Sequence, residues 1–304
     1  MSRWTDPEWL ASAHAWIERS LDDVGLERTG EIEQPHVRIW STVMRVPTPE
    51  GSVWFKANME ELQQEAAIAD LVSRRRPDVV LPPLAIDRAT GWMLLPDAGE
   101  TLRTVIERER SLDRWIDVLG RYAELQIEMM DSHDALLAAG APDMKLERLR
   151  AGFDRLLVDI DDLDSRLADS GPTIDELAER LAGFGIPDTV QHDDLHDAQV
   201  FVKDGTNLVM DWGDSCVSHP FFTLSVTLEG VISWGLDDEE DSEDIGPYRD
   251  AYLAPFRARF PGNLDEAVDV ALRLGWVCRA VNGHVPGDDG PTRTRLKMFL
   301  DGKP

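Results

Sequence analysis

His192-Asp193-Asp194-Leu195-His196-Asp197-Ala198-Gln199 is followed a short distance on by Asp211-Trp212-Gly213-Asp214. Between them lie Val200-Phe201-Val202, a polar stretch Lys203-Asp204-Gly205-Thr206-Asn207, and Leu208-Val209-Met210. Two short apolar runs around an Asp-Gly pair read as a β-hairpin. A register centred on Gly205 sets Gln199 opposite Asp211, an amide oxygen beside a carboxylate, with Asp194 on the loop just upstream. Two oxygen donors beside a further carboxylate are what magnesium-assisted phosphoryl transfer requires.

Outward from this hairpin the chain changes character once. Asp6-Pro7-Glu8 is a helix start, with Asp as cap, Pro at the first helical position and an acid in the first turn. Leu10, Ala13, Trp16, Ile17, Leu21 and Val24 follow at helical spacing, so residues 6–24 are expected to form an amphipathic leader helix. His36 to Pro47 and Ser52 to Lys56 are rich in β-branched and aromatic residues around a Pro/Gly turn, an antiparallel meander. Glu60 to Val72 returns to helical period, and strands are expected near Leu84–Ile86 and Trp92–Leu95. Pro96-Asp97-Ala98-Gly99 reads as a break between lobes. The expected domains are therefore residues 1–96, with a sheet over 32–95, and residues 97–304. Beyond the break, apolar stripes predict helices near 101–109, 112–131, 145–160, 173–183, 221–235, 246–258, 264–282 and 291–300. The expected fold class is α+β: a small lobe with an antiparallel sheet and one key helix, then a large, mainly helical lobe.

The 304 residues carry 42% hydrophobic and 29% charged side chains, ordinary for a globular protein. The net charge of −27 is not ordinary. Such a surface repels nucleic acid and anionic membranes and favours cationic partners, or it serves solubility alone. Asp237 to Asp244 is acidic at all positions but Ser242 and reads as a solvated loop. Cys216 and Cys278, the only cysteines, are too few for a disulfide framework or a cysteine-based zinc site. No apolar run reaches the roughly 18 residues of a membrane-spanning helix, and the N-terminus shows no signal-peptide pattern. A cytoplasmic protein with no membrane and no nucleic-acid partner is expected. Its oligomeric state is left open.

Gly-x-x-x-x-Gly-Lys-Ser/Thr, Gly-x-Gly-x-x-Gly, His-Glu-x-x-His and Gly-x-Ser-x-Gly are all missing from the sequence. What is present, His192-x-Asp194, Gln199, then a hairpin and Asp211-Trp212-x-Asp214, resembles the aminoglycoside phosphotransferase family of the protein-kinase-like superfamily. The upstream half agrees in order. Ser52-Val53-Trp54-Phe55-Lys56-Ala57 resembles the strand with the phosphate-binding lysine, and Glu65 resembles its helix partner. Gly91-Trp92-Met93-Leu94-Leu95-Pro96 resembles the strand that meets adenine, through Met93 and Leu95. Only five of the 31 basic residues are lysines, and Lys56 stands at the end of an apolar strand, where an unpartnered charge is costly.

The resemblance implies an ATP- and magnesium-dependent phosphotransferase acting on a hydroxyl group, with GTP as the other nucleotide to consider. Asp194 is then the base that accepts or orients the hydroxyl, and Gln199 and Asp211 are the magnesium ligands. His192 is expected to support the loop, and Asp214 either approaches the metal or holds the Trp212 loop. The glycine-free stretch Arg38-Ile39-Trp40-Ser41-Thr42 is expected to hold phosphate through the Ser41 and Thr42 hydroxyls and backbone N–H groups. Two positions depart from the family. Gln199 replaces the usual Asn and extends the ligand by about 1.5 Å. Asp193 replaces the usual Gly and is expected either to bind a cationic substrate or to raise the pKa of Asp194. Asp193, Asp197 and the 237–244 run suggest a small cationic acceptor, such as an aminoglycoside, amino sugar or amino alcohol. The alternative reading, motivated by Gln199 and the glycine-free loop, is a catalytically impaired kinase-like nucleotide-binding or regulatory protein.

Overall fold

The computed structural model describes residues 3–301. The chain divides into two compact units, Met1–Glu100 with Val202–Gly213, and Thr101–Phe201 with Asp214–Pro304. Much of the hairpin thus joins the first unit, where the sequence reading assigns it to the second.

In the first unit, helix α1 (Pro7–Asp23) begins as its sequence demands: Asp6 accepts the backbone N–H groups of Glu8 and Trp9, both at 3.0 Å. Strands β1 (Glu33–Val37), β2 (Ser41–Thr48) and β3 (Gly51–Asn58) form the meander. Helix α2 (Glu65–Arg75) follows, then β4 (Ala85–Asp87) and β5 (Trp92–Pro96). The five strands make one antiparallel sheet in the order β1-β2-β3-β5-β4. Pleating sends alternate residues to opposite faces. Met44, Val46, Phe55, Ala57 and Leu94 therefore share a core with Trp4, Ala13, Ile17 and Leu21 from the leader segment. The Phe55 ring lies 5.6 Å from Trp92 and 5.7 Å from Trp16. The opposite face carries Trp54, Lys56 and Asn58, with Leu95 paired to Trp54, Met93 to Lys56 and Ser41 to Asn58.

The helix expected from Glu60 is interrupted. Glu60–Leu62 is a separate 3-10 turn, and Asn58 Nδ2 donates to the Leu62 carbonyl at 3.1 Å, so regular helix starts only at Glu65. Gly99 (φ +86°) lies so close to Val202 that a Cβ would sit 2.2 Å from its carbonyl oxygen; no other residue fits there.

In the second unit, β6 (Glu100–Thr101) leads from the first into α3 (Leu102–Glu109), α4 (Arg114–Met129), α5 (His133–Ala138), α6 (Leu146–Asp159) and α7 (Gly171–Ala182). Strand β7 (Thr189–Gln191) enters the His192–Gln199 loop, and the chain then passes through β8 (Val200–Lys203) into the first unit, where the hairpin turn and β9 (Thr206–Val209) lie. Strand β10 (Cys216–Ser218) then pairs antiparallel with β7. Helices α8 (Gly246–Arg259), α9 (Leu264–Asn282) and α10 (Gly290–Asp301) complete the unit. Gln126 on α4 fixes β7 from below. Its amide donates to the Val190 and Pro220 carbonyls, at 3.0 and 3.2 Å, and its backbone carbonyl accepts from the Thr189 hydroxyl at 2.6 Å.

The helix expected over 221–235 does not form. In its place are 3-10 turns at Pro220–Phe222 and Ile232–Trp234 around a π-helical turn at Ser225–Glu229. Hydroxyl side chains divert this backbone: Thr227 donates to the Leu195 carbonyl at 2.7 Å, and Ser225 to Leu272 at 2.7 Å. No helix among the described residues is long and apolar enough to cross a membrane.

Phe55 is fully buried among tryptophans. Phe55→Ala is expected to destabilise the protein by about 3–5 kcal/mol, read from urea denaturation. A loss below about 1 kcal/mol would show that α1 does not anchor the sheet through this ring.

Candidate active site

Lys56 lies two residues before the end of β3, on the face away from α1, and its ammonium is buried between two carboxylates. Nζ lies 2.8 Å from Glu65 and 2.5 Å from Asp211 Oδ1. Asn58, one pleat further along the same face, donates to Glu65 Oε2 at 2.5 Å. Burial disfavours the charge on Lys56, but Asp211 and Glu65 together hold it well above the ordinary lysine range. Burial pushes the Glu65 carboxyl up from its ordinary value, opposed by Lys56. The segment beyond Asp211 is tied to the start of α2, because Gln64 Nε2 donates to the Gly213 carbonyl at 3.0 Å. The sequence reading pairs Lys56 with Glu65, as the structure does, but foresees neither Asp211 beside Lys56 nor Asn58. For Asn58, its position two residues beyond Lys56 on a strand was the available signal.

The structure corrects the expected phosphate loop. Residues 38–40 form the turn between β1 and β2, and Ser41 and Thr42 open β2. Ser41 shares a face with Lys56 through its pairing with Asn58. Thr42 does not. Pairing with Ala57 turns it to the α1 side, where it is fully buried, donates to the His36 carbonyl and accepts from Gln34, both at 2.8 Å. Thr42 is therefore a structural hydroxyl, not a phosphate ligand. Met93 and Leu95 lie on the Lys56 face of β5, Met93 buried and Leu95 half-buried.

The hairpin is also tighter than expected. Its loop is Asp204-Gly205 alone, with φ of +50° and +80°, the conformation of a two-residue turn whose twist matches the strands. Such a turn is centred before Gly205, so the strict opposition of Gln199 and Asp211 is not the register of this hairpin. Gln199 closes a turn immediately before β8, its N–H donating to the His196 carbonyl at 2.9 Å. A carboxylate and an amide oxygen, as at Asp211 and Gln199, are the hard donors magnesium accepts when phosphate and water supply the rest. Among the described residues, no group of three His, Cys, Asp or Glu side chains is placed to hold a metal.

In the second unit, His192 is fully buried. It receives the Asp194 N–H on Nδ1 at 3.4 Å and donates its own N–H to the Tyr122 hydroxyl at 2.9 Å. Both contacts are made within the second unit, one of them inside the His192–Gln199 loop itself. Asp194 is partly exposed, with Oδ1 2.9 Å from Arg279 Nη2 and Oδ2 3.8 Å from His196 Nε2. Asp193 takes φ +66°, a left-handed conformation that Asp tolerates better than most side chains, and is 1% exposed. Its carboxylate accepts from Asn282 Nδ2 at 2.7 Å and lies 3.4 Å from Arg279 Nη1. Burial pushes the Asp193 carboxyl up, against the pull of Arg279 and Asn282. Asp214 meets the same guanidinium at 3.4 Å. Asp193 is therefore an internal ion-pair partner and is not available to a cationic substrate. Arg279 and Asn282 were missed by sequence reading. Their signal was two polar residues three apart on the otherwise apolar end of α9.

Asp197 is also neutralised internally, by Arg103 at 2.7 and 3.1 Å. Acidic residues 237–244 lie in turns and bends; Asp237 pairs with Arg110, and Glu243 accepts from Tyr248.

The geometry defines a class: a lysine–glutamate–aspartate centre on an antiparallel sheet, and a His-x-Asp loop in a helical unit. The profile of the phosphotransferase enzyme family matches residues 28–262, and the chain belongs to that family. No curated protein matches by sequence. Among solved structures it is similar to an ethanolamine kinase of Plasmodium vivax, at 11% identity and TM-score 0.63, over 97% of this chain and 89% of that one. It is also similar to the GDP complex of aminoglycoside 2′-phosphotransferase-IIIa, at 15% identity and TM-score 0.60, over 96% and 97% of the two chains. Macrolide 2′-phosphotransferase type I gives 13% identity and TM-score 0.58, over 95% and 97%. These identities speak for a shared kinase-like fold.

Although burial opposes it, hydrogen bonds from His196 and Arg103 hold the Asp197 carboxyl down at about 2, against an ordinary 3.8. A depressed carboxylate pKa contributes stability that is present above the unfolded value and lost as pH falls through the folded one. Arg103→Ala is expected to be less stable than wild type near neutral pH, the gap closing as pH falls from about 4 to about 2. Urea denaturation across that range checks this, and a gap that does not change with pH contradicts it.

Proposed function

We propose that the protein is an ATP- and magnesium-dependent kinase of a hydroxyl group on a small molecule, with GTP as the alternative donor. The observation that carries this is the buried Lys56 held between Glu65 and Asp211. A lysine desolvated on a strand and oriented by a glutamate is a phosphate-gripping device, and structure alone gives little reason to bury that charge. In this reading Lys56 grips the donor phosphates, Glu65 and Asn58 orient it, and Met93 and Leu95 contribute the apolar face toward the base. Asp211 and Gln199 would hold magnesium, which when bound neutralises charge on the transferring phosphate. Asp194 accepts or orients the acceptor hydroxyl proton.

The acceptor is not assigned a charge from Asp193 or Asp197, since both carboxylates are satisfied within the fold. Ethanolamine, macrolides and aminoglycosides, named for the structural neighbours, set the range of acceptors to test, together with amino sugars and simple sugars.

Mg-ATP at millimolar concentration is expected to raise the melting temperature of the wild type, and Asp194→Asn is expected to keep that shift while abolishing acceptor-dependent ADP release. No shift with either Mg-ATP or Mg-GTP would sink the proposal. Nucleotide binding without turnover, with activity gained in Gln199→Asn, would instead identify an impaired, regulatory relative.

A further inference from the structure

The second unit buries an arginine that the phosphotransfer chemistry does not call for. Strands β7 and β10 pair Gln191 with Cys216. Continued past the strand ends, that register sets Asp193 beside Asp214, and Asn282 Nδ2 confirms it by donating to both Asp193 Oδ2 and the Asp214 carbonyl at 2.7 Å. With Asp194 next in sequence, three carboxylates converge where at least one, Asp193, has no access to water. Carboxylates this close repel unless a cation sits among them.

Arg279 supplies that cation from α9, with its side chain only 6% exposed. Nη1 lies 3.4 Å from both Asp193 and Asp214, while Nη2 lies 2.9 Å from Asp194 Oδ1 and 3.5 Å from Asp214 Oδ2. The planar fork reaches three carboxylates at once from two nitrogens held in fixed geometry, where an ammonium has a single nitrogen and no fixed orientation. The Arg279 backbone is itself pinned, its carbonyl accepting from Arg295 Nη1 at 3.4 Å and from the Gly283 N–H at 3.1 Å.

We propose that Arg279 is a positioning residue for Asp194: anchored by Asp193 and Asp214, it grips Oδ1 and so fixes the direction in which Oδ2 meets the acceptor hydroxyl. This rests on the assignment of Asp194 as the group that handles that hydroxyl. In this chain Asp193 provides the rigid footing for the arginine. The loop position of a flexible glycine is thereby converted into part of an electrostatic clamp.

Two variants test it in the full-length protein. Arg279→Lys keeps the charge but loses the fork. Arg279→Met combined with Asp193→Asn removes one charge of each sign together, so that no new charge imbalance is buried. Both are expected to retain the Mg-ATP-dependent rise in melting temperature, with nucleotide KM little changed and kcat reduced roughly 100-fold. Crystal structures of the variants are expected to show the Asp194 carboxylate turned away from its wild-type orientation. A folded variant with wild-type kcat and an unmoved Asp194 carboxylate overturns the proposal and leaves Arg279 a purely structural charge. If wild type shows neither nucleotide stabilisation nor turnover, the phosphotransfer reading fails instead. The Asp194 orientation in the variant crystals then still decides whether Arg279 positions it.

Discussion

The burial of one lysine organises the first unit. Lys56 is carried inward by the same strand that drives Phe55 and Ala57 into the aromatic core beneath α1, and pleating makes the two outcomes inseparable. An ammonium in that position is tolerable only with carboxylates in hydrogen-bond range. Glu65 is delivered by the delayed start of α2, and Asp211 by the return of the chain after β9. Two neighbouring segments and one lying 155 residues beyond Lys56 are thus held together by a single charge. The aromatic packing supplies the stability, and the charge supplies the geometry.

The second unit solves a related problem with the opposite sign. There the carboxylates are in excess and the arginine is the scarce partner. The chain's large negative charge makes this informative. Acids that look available for a cationic ligand in the sequence, Asp193 and Asp197, are already committed to Arg279 and Arg103. A count of acidic residues near a catalytic loop says little about substrate charge until internal partners are known.

Much of the architecture was legible because local chemistry and long-range order agreed. The Asp-Pro-Glu start of α1, the alternating strands and the ordered series Lys56, Glu65, Asp194, Asp211 each point to the same fold. What was not legible depended on pairing that sequence does not print. Thr42 looks like a phosphate ligand until its register with Ala57 turns it to the wrong face. The hairpin register depends on whether the loop holds two residues or more, and Lys203-Asp204-Gly205-Thr206-Asn207 permits either. The stretch over 221–235 has helical apolar spacing, but its Ser and Thr hydroxyls bind backbone carbonyls elsewhere, and the helix gives way. Arg279 lies some eighty residues from the loop it serves, and no periodicity connects the two.

The left-handed backbone of Asp193 has a consequence for how such a chain changes over generations. A glycine there would relax the loop but leave the arginine with less to hold it; losing the arginine first would strand a buried carboxylate. Neither residue is free to drift alone. Positions 193 and 279 therefore form a two-locus lock, crossed only by paired replacement, and relatives should fall into lineages that carry both residues or neither.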